Sequence, residues 1–273
     1  MLRFGTDGIP ICTDKRTTLD GISQVRKLGL DAMELEFVQS VNISEALAPQ
    51  VKAQAKKDDL LLTAHGQYFI NLNAQEQVKL DASKERINKA ARILHLCGGY
   101  SLVFHAAFYL KQDKEAVFKT VKHNLKEVVQ SLRDEGIKLW IRPETTGKPT
   151  QWGDLKEVCL LSEQIEGVLP CVDFSHLHAR SDGKENTKEE FHRSLALIER
   201  HLGQEALDNM HIHLSGINYG DKCEKNHLML NESDMNYKDL LATLKEFKVG
   251  GVLICESPVM EKDAVLLMHS FRD

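Results

Sequence analysis

Short runs of β-branched and aliphatic residues alternate with longer segments of helical periodicity from one end of the chain to the other. The strand-like runs cover 2–4, 32–37, 60–64, 101–105, 138–142, 169–174, 210–214 and 251–255. Helical segments begin near Thr18, Ile43, Asp81, Asp113, Asp154, Thr187, Tyr237 and Glu261, several with a Ser, Thr, Asp or Asn able to cap the first turn. Glycine turns such as Lys27-Leu28-Gly29, Cys97-Gly98-Gly99 and Glu166-Gly167 close the helices before the next strand.

Eight strand–helix units predict an α/β fold, a (β/α)8 TIM barrel, as a single domain over 1–273, since such barrels typically need ~250 residues. A doubly wound open sheet is the alternative. It would need a Gly-x-Gly-x-x-Gly after the first strand, and Gly5-Thr6-Asp7-Gly8 does not supply one.

Composition then narrows the chemistry. The hydrophobic share of 42% is enough for a full core, and the six cysteines contain no CxxC pair, which excludes zinc ribbons and a disulfide framework. Without a leader-like start or an apolar run near the ~20 residues of a membrane span, the chain reads as soluble and cytoplasmic, with no membrane partner. A formal charge of −5 speaks at first against nucleic acid.

The 12 histidines are the informative count, because of where they fall. In a barrel, chemistry gathers at the C-terminal strand ends. Strand three ends at His65, strand four at His105, strand five at Glu144, strand six at Asp173 with His176 and His178, strand seven at His213 and strand eight at Glu256. Each alone reads as a hydrogen-bonded, half-buried residue; six rim positions together point to zinc, with manganese or iron as alternatives. Glu224 and His227, in the loop after strand seven, could reach the same rim or be solvated. His211, two residues before His213, should lie deeper in the barrel or support it. His95, His123, His192, His201 and His269 fall within helices and read as packing or solvated residues.

The order and spacing of His65-Gly66-Gln67-Tyr68-Phe69-Ile70-Asn71-Leu72, Phe104-His105, Glu144-Thr145-Thr146-Gly147, Asp173-x-x-His176, His213-Leu214 and Glu256 resemble the endonuclease IV family, zinc-dependent apurinic/apyrimidinic endonucleases of the xylose-isomerase-like group. The resemblance implies a monomer with two to three zinc ions that cleaves duplex DNA 5′ to abasic sites. It implies His65, His105 and Glu144 at one ion, Glu144, Asp173, His213 and Glu256 at a second, and His176 at a third. Glu144 and Glu256 would be the catalytic carboxylates, and Tyr68 and Phe69 the DNA-inserting aromatics. Two departures stand out. The family's Asp-x-His becomes Glu224-x-x-His227 here, and Phe37-Val38-Gln39-Ser40 lacks the arginine that relatives present to DNA. The runner-up is a divalent-metal sugar isomerase or epimerase on the same barrel; a degenerate, non-catalytic barrel is third. Three bound divalent ions would more than offset the −5, so net charge is the weaker objection to DNA.

Overall fold

The computed structural model describes residues 1–221 and 223–273. Its eight parallel strands are β1 (Leu2–Asp7), β2 (Ala32–Glu36), β3 (Leu61–His65), β4 (Ser101–Phe104), β5 (Trp140–Pro143), β6 (Cys171–Asp173), β7 (Met210–Leu214) and β8 (Gly251–Cys255). They are hydrogen-bonded in the order β5-β4-β3-β2-β1-β8-β7-β6. Isolated parallel bridges Ile141↔Val168 and Glu144↔Cys171 join the two edges, so the sheet closes into the expected (β/α)8 barrel.

Helices α1 (Thr18–Lys27), α2 (Ala48–Lys57), α3 (Gln77–Leu96), α4 (Lys114–Asp134), α5 (Leu155–Ser162), α6 (Phe174–Arg180), α7 (Lys188–Asp208), α8 (Tyr237–Glu246) and α9 (Glu261–Arg272) follow the strands. Local chemistry sets most starts. Thr17 and Asp113 accept hydrogen bonds from Asp20 and Ala116 backbone N–H, and Asp154 forms a capping box with Glu157. Two starts move. The helix expected near Ile43 begins at Ala48, where Pro49 fits the first turn, and the one expected near Asp81 begins four residues earlier among good helix formers.

Three accessory elements escape the sequence pattern. Residues 169–174 are not strand to their end: Asp173 caps α6, which starts at Phe174. Gly216–Gly220 pairs antiparallel with Cys223–Leu228 as a hairpin, and Ala107–Phe108 pairs with Gln151–Trp152.

The main core lies between barrel and helices, with Phe4, Ile22, Leu30, Met33 and Leu62 fully buried. Inside the barrel a small apolar floor of Ala32, Val252 and Ile254 carries everything above it. Strand side chains alternate faces, so the inward rows read Ala32-Glu34-Glu36, Leu61-Thr63-His65, Trp140-Arg142-Glu144 and Val252-Ile254-Glu256. Each row ends at the mouth in a His or a carboxylate. Among the described residues no helix is long and apolar enough to cross a membrane.

Candidate metal centre

Glu144, which follows β5, is 1% exposed and stands in the middle of the mouth. Its Oε2 lies 3.3 Å from His65 Nε2 and 3.1 Å from His105 Nε2, while Oε1 lies 3.3 Å from His213 Nδ1. His213 Nδ1 is also 3.2 Å from Glu256 Oε1. Among the groups of the described residues that bring one ligand atom from each member within 4.8 Å of the others, two share Glu144: His65, His105 and Glu144, and Glu144, Asp173, His213 and Glu256. Glu144 belongs to both. The His65 ring is oriented by its Nδ1, 2.8 Å from Gly66 O, which leaves Nε2 for Glu144.

These residues fit divalent cations. Glu256 Oε2 is buried with no partner, and Glu144 Oε2 and Asp173 Oδ2 meet only imidazole nitrogens whose direction makes no hydrogen bond, an arrangement that costs stability unless a cation or proton meets it. The proton inventory agrees. Burial alone would raise Glu144, but His105 and His213 facing it hold it well below the usual carboxylate range. Burial likewise opposes a charged His65, yet the Glu144 carboxylate outweighs it and lifts the imidazole to about 9. Glu256, buried and flanked by Asp7, Glu144 and Asp173, is driven well up despite His213.

The third expected group is arranged differently. His176 stands one turn into α6 from Asp173, whose Oδ1 accepts its backbone N–H at 2.7 Å. Its Nε2 lies 3.0 Å from Glu224 Oε2, and Glu224 Oε1 lies 3.1 Å from Lys148 Nζ. His227 packs with its ring centroid 6.0 Å from that of His176, and its Nδ1 is 3.0 Å from Glu256 O. His176, Glu224 and His227 are not among the convergent groups of the described residues. The hairpin that carries Glu224 docks on the Glu144 loop through Gly147: a Cβ there would sit 2.1 Å from Glu224 Oε2, so only glycine allows the approach.

His178 leaves the site altogether. Two residues apart on a helix point to different faces, and its Nε2 lies 3.0 Å from Asp234 Oδ1, beside Tyr219, whose hydroxyl donates to Asp234 at 2.7 Å. The five helix-borne histidines stay on helices away from the mouth, as expected. Tyr68 and Phe69 are 56% and 60% exposed at the rim, their loop pinned by Tyr68 N–H to Val38 O at 3.1 Å and Gln67 Nε2 to Gln39 O at 2.8 Å.

The sequence pattern missed the carboxylates of the first two strands. Asp7, Glu34 and Glu36 converge on the inner wall of the barrel, Glu36 at the mouth and Glu34 one inward position below it. Burial and the adjacent Asp7 drive Glu36 strongly upward, so Glu36 keeps its proton. The signal was present: Glu34 and Glu36 alternate with Met33 and Leu35 in a strand that should be apolar.

A family model described as xylose isomerase-like TIM barrel matches residues 22–271. The chain is 45% identical over its whole length to an uncharacterized protein, MJ0133, of Methanocaldococcus jannaschii, covering 98% of it. Among solved structures, endonuclease IV from Thermus thermophilus superposes with a TM-score of 0.76 at 20% identity, over 99% of this chain and 97% of that one. A D-tagatose 3-epimerase-like protein follows at 0.74 and 16%, over 99% and 96%. The 3-keto-D-glucoside 4-epimerase YcjR from E. coli gives 0.70 and 16%, over 100% and 99%. At these identities the structural likeness speaks to fold alone.

Proposed function

The chain belongs to the xylose isomerase-like TIM barrel family, and from that premise and the mouth geometry we propose that it is a metal-dependent phosphodiesterase, a DNA repair endonuclease that hydrolyses the bond 5′ to abasic sites. The carrying observation is the shared Glu144: one carboxylate common to a two-histidine group and a group richer in carboxylates is what a bridged pair of cations requires. His65, His105 and Glu144 would hold one ion, and Glu144, Asp173, His213 and Glu256 the other; zinc suits this imidazole-rich donor set. Ions bound there supply Lewis-acid activation of a water and neutralise the charge of the phosphodiester.

The chain's own residues complete the chemistry. Glu256, at the edge of the pair, orients the attacking water and holds its proton. His176 and Glu224 approach the cluster from one side; with His227 they would hold a third cation if one binds, and the Lys148 ammonium beside Glu224 offers positive charge to the phosphate. Tyr68 and Phe69, exposed on a pinned loop, offer the apolar surface that fills the gap left by a missing or flipped nucleotide. Water attacks phosphorus directly, the bond to the upstream 3′-oxygen breaks, and that oxygen takes up the proton held by Glu256 to leave as a 3′-hydroxyl, with the phosphate remaining on the abasic deoxyribose and no covalent enzyme intermediate formed.

The test is elemental analysis of the purified protein combined with incubation on an abasic-site duplex. About two or more zinc ions per chain and cleavage that chelation abolishes are expected. Zinc with no cleavage, together with turnover of a ketose, would replace this reading with the second one. That second reading, a sugar isomerase or epimerase, is favoured by the convergence of Glu36 with Asp7 at the mouth, carboxyl groups that suit hydroxyl groups better than phosphate.

A further inference from the structure

Glu34 lies at the centre of the barrel, below the metal centre, and is fully buried. Three side chains meet its carboxylate. His213 Nε2 lies 2.9 Å from Oε1, His211 Nε2 lies 3.1 Å from Oε2, and Thr63 Oγ1 donates to Oε2 at 2.6 Å. Ser101 Oγ, 2.8 Å from His211 Nδ1, extends the row one step further. All of these residues, like Glu34, are fully buried.

An ionised carboxylate is acceptor-only, so the ring nitrogens that face it carry hydrogens. The two nitrogens of His213 face opposite ways, Nε2 toward Glu34 and Nδ1 toward Glu144 and Glu256, so only Nδ1 can turn to a cation at the mouth while an Nε2 proton stays with Glu34. His211 presents Nε2 to Glu34 and Nδ1 to the Ser101 hydroxyl. His211 supplies the geometric reason for the pair. It is fully buried, held between Ser101 and Glu34, and it occupies the second oxygen of the carboxylate.

We propose that Glu34 is a positioning residue that fixes the tautomer and ring orientation of His213, so that the second cation is bound through Nδ1, with His211 and Ser101 as the buttress that keeps the carboxylate in place. The proposal rests on the reading of the mouth as a cation pair. Carboxylates that orient ligating imidazoles are typically worth about 10- to 100-fold in metal affinity.

Glu34→Gln is the informative variant. A glutamine amide offers one acceptor and one donor where the carboxylate offers two acceptors, so it can satisfy His213 or His211 but not both. Zinc binding is read by competition with a chromophoric chelator, and tautomers by long-range nitrogen–proton NMR of the zinc-loaded wild type, with His213 identified through His213→Asn. The expected results are a zinc-bound Nδ1 and protonated Nε2 on His213, and in Glu34→Gln about 10- to 100-fold weaker binding of one ion with the other unchanged. Ser101→Ala should weaken the same ion by less. A His213 bound through Nε2, or a Glu34→Gln protein that holds both ions as tightly as wild type, overturns the proposal while leaving the metal centre intact. A wild type that binds no zinc overturns the metal centre itself. The wild-type spectrum decides the tautomer even if the variants fail to fold.

Discussion

Two halves of one site are built on different foundations. His65, Glu144, Asp173, His213 and Glu256 stand at or just beyond strand ends, on a closed sheet whose register fixes each Cα against its neighbour. Glu224 and His227 stand on an accessory hairpin, and His176 on a helix of seven residues. The strand-borne groups converge within 4.8 Å; the hairpin-borne one does not. A ligand on the barrel inherits the rigidity of the whole sheet, whereas a ligand on a hairpin is only as well placed as the hairpin's own docking contacts, here Gly147, Lys148 and the Tyr219–Asp234–His178 network.

The comparison breaks most sharply at Glu144. Glu144→Ala removes the carboxylate common to both strand-borne groups, and cleavage should fall by about a thousandfold or more with loss of two zinc ions. Retention of either property would show that the groups are independent. Gly147→Ala should act only on the other half, pushing Glu224 away: the first two ions stay, and activity drops by about tenfold to a hundredfold. Metal counts on this variant decide whether the hairpin supplies a third ion or only a wall.

A pH titration separates the halves in a different way. In metal-free protein the raised His65, near 9 against 6.5 for a free imidazole, contributes stability that is fully present below pH 6.5 and is lost as pH rises through about 9. Melting temperature of the apoprotein should therefore fall across that window, and saturating zinc, which displaces the proton, should flatten the fall. An identical slope with and without zinc would refute the displacement. Smaller still, Tyr68→Ala alone should raise KM for an abasic duplex by about tenfold at unchanged metal content, since one aromatic contact with a base is worth about 1–3 kcal/mol. Asp234→Asn should cost about 0.5–1.5 kcal/mol of stability, the size of one hydrogen bond.

The strand-borne half was legible in the sequence because a strand writes its geometry with a period of two and a barrel collects its strand ends in one place. His65, His105, Glu144, Asp173, His213 and Glu256 could be gathered without coordinates. The other half was not. Once α6 replaces strand at Phe174, the pair His176 and His178 separates onto two faces, and alternation misplaces the second residue. The hairpin had no apolar pattern to announce it, since Glu224, Lys225, Asn226 and His227 read as a polar loop. Glu34 and Glu36 escape the pattern for another reason: the run expected over 32–37 ends on Phe37, one residue past the true end of β2, and the signal is instead charge at inward positions of a strand that should be apolar.

The barrel also has a seam. Between β5 and β6 the ladder is reduced to two bridges, and beside them Thr145 takes over with its side chain, its hydroxyl oxygen accepting from Asp173 N–H at 2.8 Å and lying 3.2 Å from Asp173 O. Glu144 and Asp173, one from each bank of that seam, belong to the same convergent group. A cation held by both would therefore act as a rivet across the least-stitched joint of the cylinder. Backbone amides of Thr145, Cys171 and Asp173 should then exchange with deuterium fastest in the stripped protein and become among the slowest once it is loaded.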